Sequence, residues 1–257
     1  MEKRGWGKRA QVTIFIIVAI IIVAIGVLIY SFYPQIKSSI GAGEKNPPSY
    51  IQTCLEDEIK NAVNKLSLQG GSISPENYVR YYNNKVEYLC YTNEDYNRCV
   101  VQQPMLKQHI ESEIKNEIES SVSSCFASMK SSYEKRGYGV SLSSGDRRIE
   151  LLPKRIVGTF NYSFSLTKDS TERYDSFPVV VNNNLYELVA IANSIIDWEV
   201  AYGDIETTLY ESYYHNLRVE KKAKSDGSKI YILTDLDTGN KFQFASRSMV
   251  LPGGYGA

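Results

Sequence analysis

The feature that most constrains this chain is a run without a single charge, Val12–Tyr33, set directly behind a basic cluster. As a helix, its about 22 residues would span roughly 33 Å, against roughly 30 Å of bilayer hydrocarbon. β-Branched residues dominate the run and would weaken a helix in water. In lipid the backbone must bond to itself, so a helix is expected regardless. Ahead of it, Lys3, Arg4, Lys8 and Arg9 stand against Glu2, a net of +3. Formal charge over the whole chain is zero, which leaves the rest at −3. The basic side is expected to stay cytoplasmic, with the C-terminal part extracellular. A slightly acidic exterior part argues against nucleic acid as a partner.

Three fates are open to such a segment. An ordinary secretory signal needs an apolar stretch of roughly 7–15 residues and then a small-x-small site. This run is longer, and Ser39-Ile40-Gly41 before Ala42 comes well after it. A plain single-pass anchor is the second fate. The third rests on the junction Arg9-Ala10-Gln11-Val12, with basic residues before it and the uncharged run directly after it. Over about residues 3–34 the chain resembles the class III signal peptide of archaeal type IV pilins and archaellins. The resemblance implies that a prepilin-type peptidase cuts between Ala10 and Gln11, with Arg9, Ala10 and Gln11 as the processing residues. It also implies that the segment 11–40 stays on the mature chain, first as anchor in the lipid bilayer and then packed against copies of itself in a filament. Ala10 stands where bacterial pilins require glycine and archaeal ones accept alanine. Phe15 replaces the glutamate that bacterial pilins carry five residues into the mature chain. Pro34 lies near the usual kink of this helix, and proline would equally end a membrane span. Ala19, Ala24 and Gly26 are small enough for close helix approach.

Past a linker over 41–49, a helix is expected from about Tyr50 to Leu68, because Ile51, Leu55, Ile59, Ala62 and Leu66 recur at helical spacing. Ser74-Pro75 reads as the start of a short helix to about Tyr82. Lys85–Tyr91 and Arg98–Gln102 read as a hairpin. A long helix over Pro104–Ser132 follows, with a stripe from Leu106 to Met129. Lys107/Glu111, Glu111/Lys115 and Lys115/Glu119 are paired on its solvated side. From Gly137 the period becomes two, which predicts strands at Tyr138–Leu142, Arg147–Leu151, Ile156–Leu166 and Phe177–Val181. A helix over Asn184–Tyr202, a short helix capped by Asp204, and a meander of Leu217–Lys222, Lys229–Thr234 and Lys241–Arg247 complete the chain. The expected fold class is α+β: an N-terminal transmembrane helix, a disulfide-stapled helical and hairpin region over 50–136, and an antiparallel-sheet domain with helices over 137–257. Pilins of the resembling family often carry a compact β-rich head, and two long helices depart from that.

Cys54, Cys90, Cys99 and Cys125 all fall on the exterior side of the anchor. An even count suits two disulfides in an oxidising compartment. Cys54 opens the first long helix and Cys125 nearly ends the second, so antiparallel packing would join them. Of three pairings, 54–125 with 90–99 is favoured, over the alternative of free buried thiols. No C-x-x-C pair or neighbouring histidine points to zinc. Asn161-Tyr162-Ser163 is a glycosylation sequon.

Catalysis is not expected, nor any cofactor or metal. Asp237-Thr238-Gly239 spells the aspartic-protease tripeptide, but that chemistry needs two such carboxylates, and Asp and Gly are ordinary turn residues. Asp235, Asp237 and Gly239 match only the start of a calcium loop. His109 and His215 stand alone. The 20 tyrosines offer either exposed contact area or the edges of a β-rich core. The function expected is a membrane-anchored extracellular surface protein, a pilin-like structural or adhesive subunit. The alternatives are a monomeric single-pass receptor or adhesion ectodomain and, third, a membrane-tethered enzyme.

Overall fold

The computed structural model describes residues 46–251. The leader 1–10 and the helix expected over 11–40 lie outside the described residues. Among the described residues no helix is long and apolar enough to cross a membrane, so for these residues the expected fold class is corrected to an α+β unit with antiparallel sheets and no membrane-spanning helix. The two longest helices show why. Helix α1 (Pro47–Ser67) carries Glu56, Asp57, Glu58, Lys60 and Lys65, and the later Leu185–Tyr202 helix carries Glu187, Asp197 and Glu199. Each buries one face only.

On α1 the buried residues Ile51, Leu55, Ile59, Ala62 and Leu66 form the expected stripe. The helix ends where Gly70 and Gly71 take φ of +81° and +100°. At Gly70 a side chain is barred as well, since a Cβ there would lie 2.6 Å from the Cβ of Glu87. The short helix expected over 74–82 does not form. Tyr78–Tyr81 is instead strand β1, paired antiparallel with β2 (Asn84–Tyr91) from Tyr78↔Glu87 to Tyr81↔Asn84. Tyr-Val-Arg-Tyr favours extended chain, and pairing buries Val79 with Val86, Tyr88 and Ile230. β3 (Val100–Val101) pairs with the end of β2.

The second long helix is two. α2 (Leu106–Glu117) and α3 (Glu119–Glu134) meet at Ile118, whose ψ of 1° interrupts regular helix. The stripe runs through the break, since Leu106, Ile110, Ile114, Ile118, Val122, Phe126 and Met129 are all buried. Of the expected charge pairs only Lys107–Glu111 forms, at 3.1 Å. Glu111 also turns inward and accepts the Leu151 amide at 2.8 Å, while Glu119 pairs with Arg147 at 3.0 Å.

The strand expected over 156–166 also divides. β6 (Arg155–Phe160) lies between β5 (Arg147–Leu152) and β9 (Phe177–Asn182), whereas β7 (Ser163–Thr167) lies between β4 (Gly139–Ser143) and β8 (Thr171–Tyr174). Tyr162 makes the corner, buried flat against Phe126 with ring centroids 3.8 Å apart. Gln52 seals α1 to β9: its amide donates to the Val180 carbonyl at 3.0 Å and accepts the Val180 N–H at 2.9 Å. A side chain thus takes the place of a further strand on that edge.

Helix α4 (Leu185–Tyr202) ends at Gly203, φ +81°. Asp204 does not cap α5 (Thr208–Tyr213): Lys221 holds it at 2.9 Å, and Glu206 accepts the Thr208 N–H instead. The last strands, β10 (Leu217–Ala223), β11 (Ser228–Asp235) and β12 (Lys241–Arg247), form the expected meander. The decisive contact is not sequential. β12 pairs in parallel with β2, giving the order β1-β2-β12-β11-β10. That pairing removes the boundary expected at 136/137. One core holds Ile51, Ile110 and Phe126 together with Phe177, Leu188 and Phe244, and from Pro47 on the chain forms a single unit.

Candidate functional site

Arg9, Ala10 and Gln11 lie outside the described residues. Cys54 is bonded to Cys125 across α1 and α3, and Cys90 to Cys99 between β2 and the loop before β3. Asn161 is exposed at the corner between β6 and β7, held by its N–H to the Asp146 carbonyl at 2.8 Å. Asp237-Thr238-Gly239 is the β11–β12 turn. Asp235 Oδ1 accepts both the N–H and the hydroxyl of Thr238 at 2.7 Å, and Gly239 has φ +74°. Among the described residues no His, Cys, Asp or Glu group is placed to hold a metal ion.

Two polar clusters that sequence reasoning missed lie inside the fold. In the first, the Ser72 hydroxyl donates to Glu87 and lies 2.7 Å from His109 Nε2. The serine sits between the other two groups, so the imidazole is not placed between carboxylate and hydroxyl as a general base must be. Burial pushes the Glu87 carboxyl above its ordinary range, against the opposing pull of Ser72 and His109. The raised value means the folded state binds the extra proton. The resulting cost is full above the folded pKa and vanishes below the unfolded one. Glu87→Gln, which keeps an acceptor for Ser72, is therefore expected to raise the melting temperature at neutral pH. The difference should narrow as pH falls through the glutamate range; thermal scans at stepped pH check it, and a neutral-pH loss would refute it.

In the second cluster Glu199, fully buried, accepts from Tyr231 and from Ser246 at 2.9 Å, and pairs with Lys229 at 2.8 Å. Lys229 also donates to the Gly203 carbonyl where α4 ends. Ser248 ties the Glu199 carbonyl (2.9 Å) to the Cys99 N–H (3.0 Å). Burial, then the adjoining carboxylate, hold the Tyr231 hydroxyl protonated far above the tyrosine range. Every polar atom of the cluster is answered from within, so its role is to lock α4 to the sheet and the Cys90–Cys99 loop.

A candidate binding surface lies near the start of α4. A cleft of about 1020 Å³ opens between the start of α4, α5 and the β11–β12 turn. Leu188, Ile191 and Leu217 form its apolar floor and Tyr186, Tyr210 and Tyr214 its aromatic wall. Its rim is amide-rich. The Asn240 amide donates to Asn184 Oδ1 at 2.7 Å, Asn216 donates to Asp237, and the Ser194 and Tyr210 hydroxyls are 2.7 Å apart. Glu187 Oε1 accepts the Lys154 N–H at 2.9 Å, while its Oε2 is buried without a partner. Tyr210 and Tyr214 also line a second, smaller groove beside it, where Trp198, Tyr202, Leu209 and Tyr213 are exposed. The tyrosines have thus divided: Tyr88, Tyr133, Tyr162 and Tyr231 are core, and a cluster around α5 faces outward. Asn182-Asn183-Asn184 was the one visible cue, three amides in a row before a helix.

No family model, no curated protein and no solved structure matches this chain.

Proposed function

We propose that this chain is a pilin-like surface subunit, structural and adhesive, with its head outside the cell and the uncharged segment 11–40 holding it to the lipid bilayer or to copies of itself. One observation carries the reading: a head closed by two disulfides, Cys54–Cys125 and Cys90–Cys99, follows a basic leader and an uncharged run. Such cross-links suit an oxidising exterior compartment. The outward aromatic cluster on α4 and α5 supports an adhesive role, because exposed contiguous aromatics mark interaction surfaces. The exposed Asn161 is available for glycosylation there. A prepilin-type peptidase is the processing partner, and no enzymatic activity, cofactor or nucleic acid is assigned to the chain.

The test is the intact mass of the protein extracted from its native membrane. A chain beginning at Gln11 is expected, and Ala10→Leu should leave the leader in place. A chain still beginning at Met1 removes the pilin-like reading. Filaments sheared from cells should contain this chain; processed protein without filaments would leave the monomeric adhesion ectodomain.

A further inference from the structure

We propose that the cleft between α4, α5 and the β11–β12 turn is a saccharide-binding site. The proposal deepens the adhesive reading and rests on it only for where the ligand is met. Two observations point to hydroxyl-rich rings. The rim offers groups that both donate and accept, among them Asn184, Asn240 and Ser194, which suits hydroxyls that do the same. Asn184 Oδ1 is taken by Asn240, which orients the pair and leaves the Asn184 amide hydrogens and Asn240 Oδ1 for a ligand.

The aromatic wall answers the other half of sugar chemistry. A pyranose ring presents polar edges and apolar C–H faces, and tyrosine offers a flat apolar ring with a polar tip. Tyr214 is 53 % exposed and belongs to both the cleft and the adjoining groove, so a chain of several rings could run from one to the other. Other ligand classes fit less well. Glu187, Asp235 and Asp237 line the cleft against a single lysine, Lys154, so phosphates and carboxylates are disfavoured. An alkyl ligand would strand the amides unpaired. A polyamine is the competing class, but the carboxylates are partly used: Asp235 by Thr238, Asp237 by Asn216.

The experiment uses the full chain in a non-glycosidic detergent. Neutral oligosaccharides of glucose, mannose, galactose and N-acetylglucosamine are titrated against it, with spermidine as the cationic probe. At least one oligosaccharide is expected to bind in the submillimolar range. Tyr214→Ala should weaken it about five-fold and Asn240→Ala about ten-fold, whereas Tyr82→Ala, at a distant exposed ring, should leave it unchanged. Circular dichroism of each variant checks folding. Binding to none of the sugars, binding indifferent to both cleft variants, or binding of spermidine alone overturns the proposal. None of these results bears on whether the chain begins at Gln11, so the surface reading stands or falls separately.

Discussion

Replacing Cys54 and Cys125 together by alanine is expected to lower the unfolding free energy by about 4 kcal/mol, the loop-closure entropy restored to the unfolded chain. The two residues are 71 apart in sequence, yet their Cα atoms lie 6.1 Å apart because α1 and α3 pack side by side. The bond therefore restrains a long stretch of unfolded chain, including all of β1–β3 and α2. Cys90–Cys99, with a separation of 9, restrains far less, and its removal should cost about 3 kcal/mol on the same account. Urea denaturation of parent and variants, each with and without reductant, measures both. Reductant should destabilise the parent and leave a variant lacking all four cysteines unmoved. A 54–125 variant as stable as the parent would show that the helices are held without the bond.

Glu199→Ala is the second large effect, an expected loss of about 3–5 kcal/mol. The cost comes from what is left behind more than from what is removed. Lys229, 12 % exposed at its side chain, would be left with the exposed Asp204, 3.4 Å away, as its counter-charge, and the Tyr231 and Ser246 hydroxyls would lose their acceptor. A buried ion pair set against a well-packed apolar pair is nearly neutral, because both charges were desolvated to form it. Glu199→Leu combined with Lys229→Met should therefore recover most of the loss. The double-mutant cycle by chemical denaturation tests this. Additive losses would show that the two charges do not depend on one another.

Local chemistry accounts for much of the fold. The stripes on α1, α2, α3 and α4 are periodic in the sequence, and each helix buries the face they mark. Gly203, Gly227 and Gly239 stand where φ is positive at the turns of the last third. The Cys54–Cys125 bond follows from helix packing, which short-range pattern already implied. The misreadings share one cause, competition between local preference and distant partners. Ser74-Pro75 is a sound helix start, but Tyr78–Tyr81 finds a strand partner in β2. Ile156–Leu166 alternates without a break, but its halves serve different sheets because Phe126, in a helix some 35 residues earlier by number, needs Tyr162 against it.

The charge pattern and length of the uncharged run, the even set of cysteines and the amphipathic helices are properties of neighbours along the chain, and the sequence alone determined them. The parallel pairing of β12 with β2, the burial of Glu199 with Lys229, and the gathering of Asn184, Tyr210 and Asn240 around one cleft belong to residues remote in sequence. No periodicity encodes such meetings. They follow from which of many available partners buries the most apolar surface while leaving polar groups satisfied, a choice made only when the whole chain is packed.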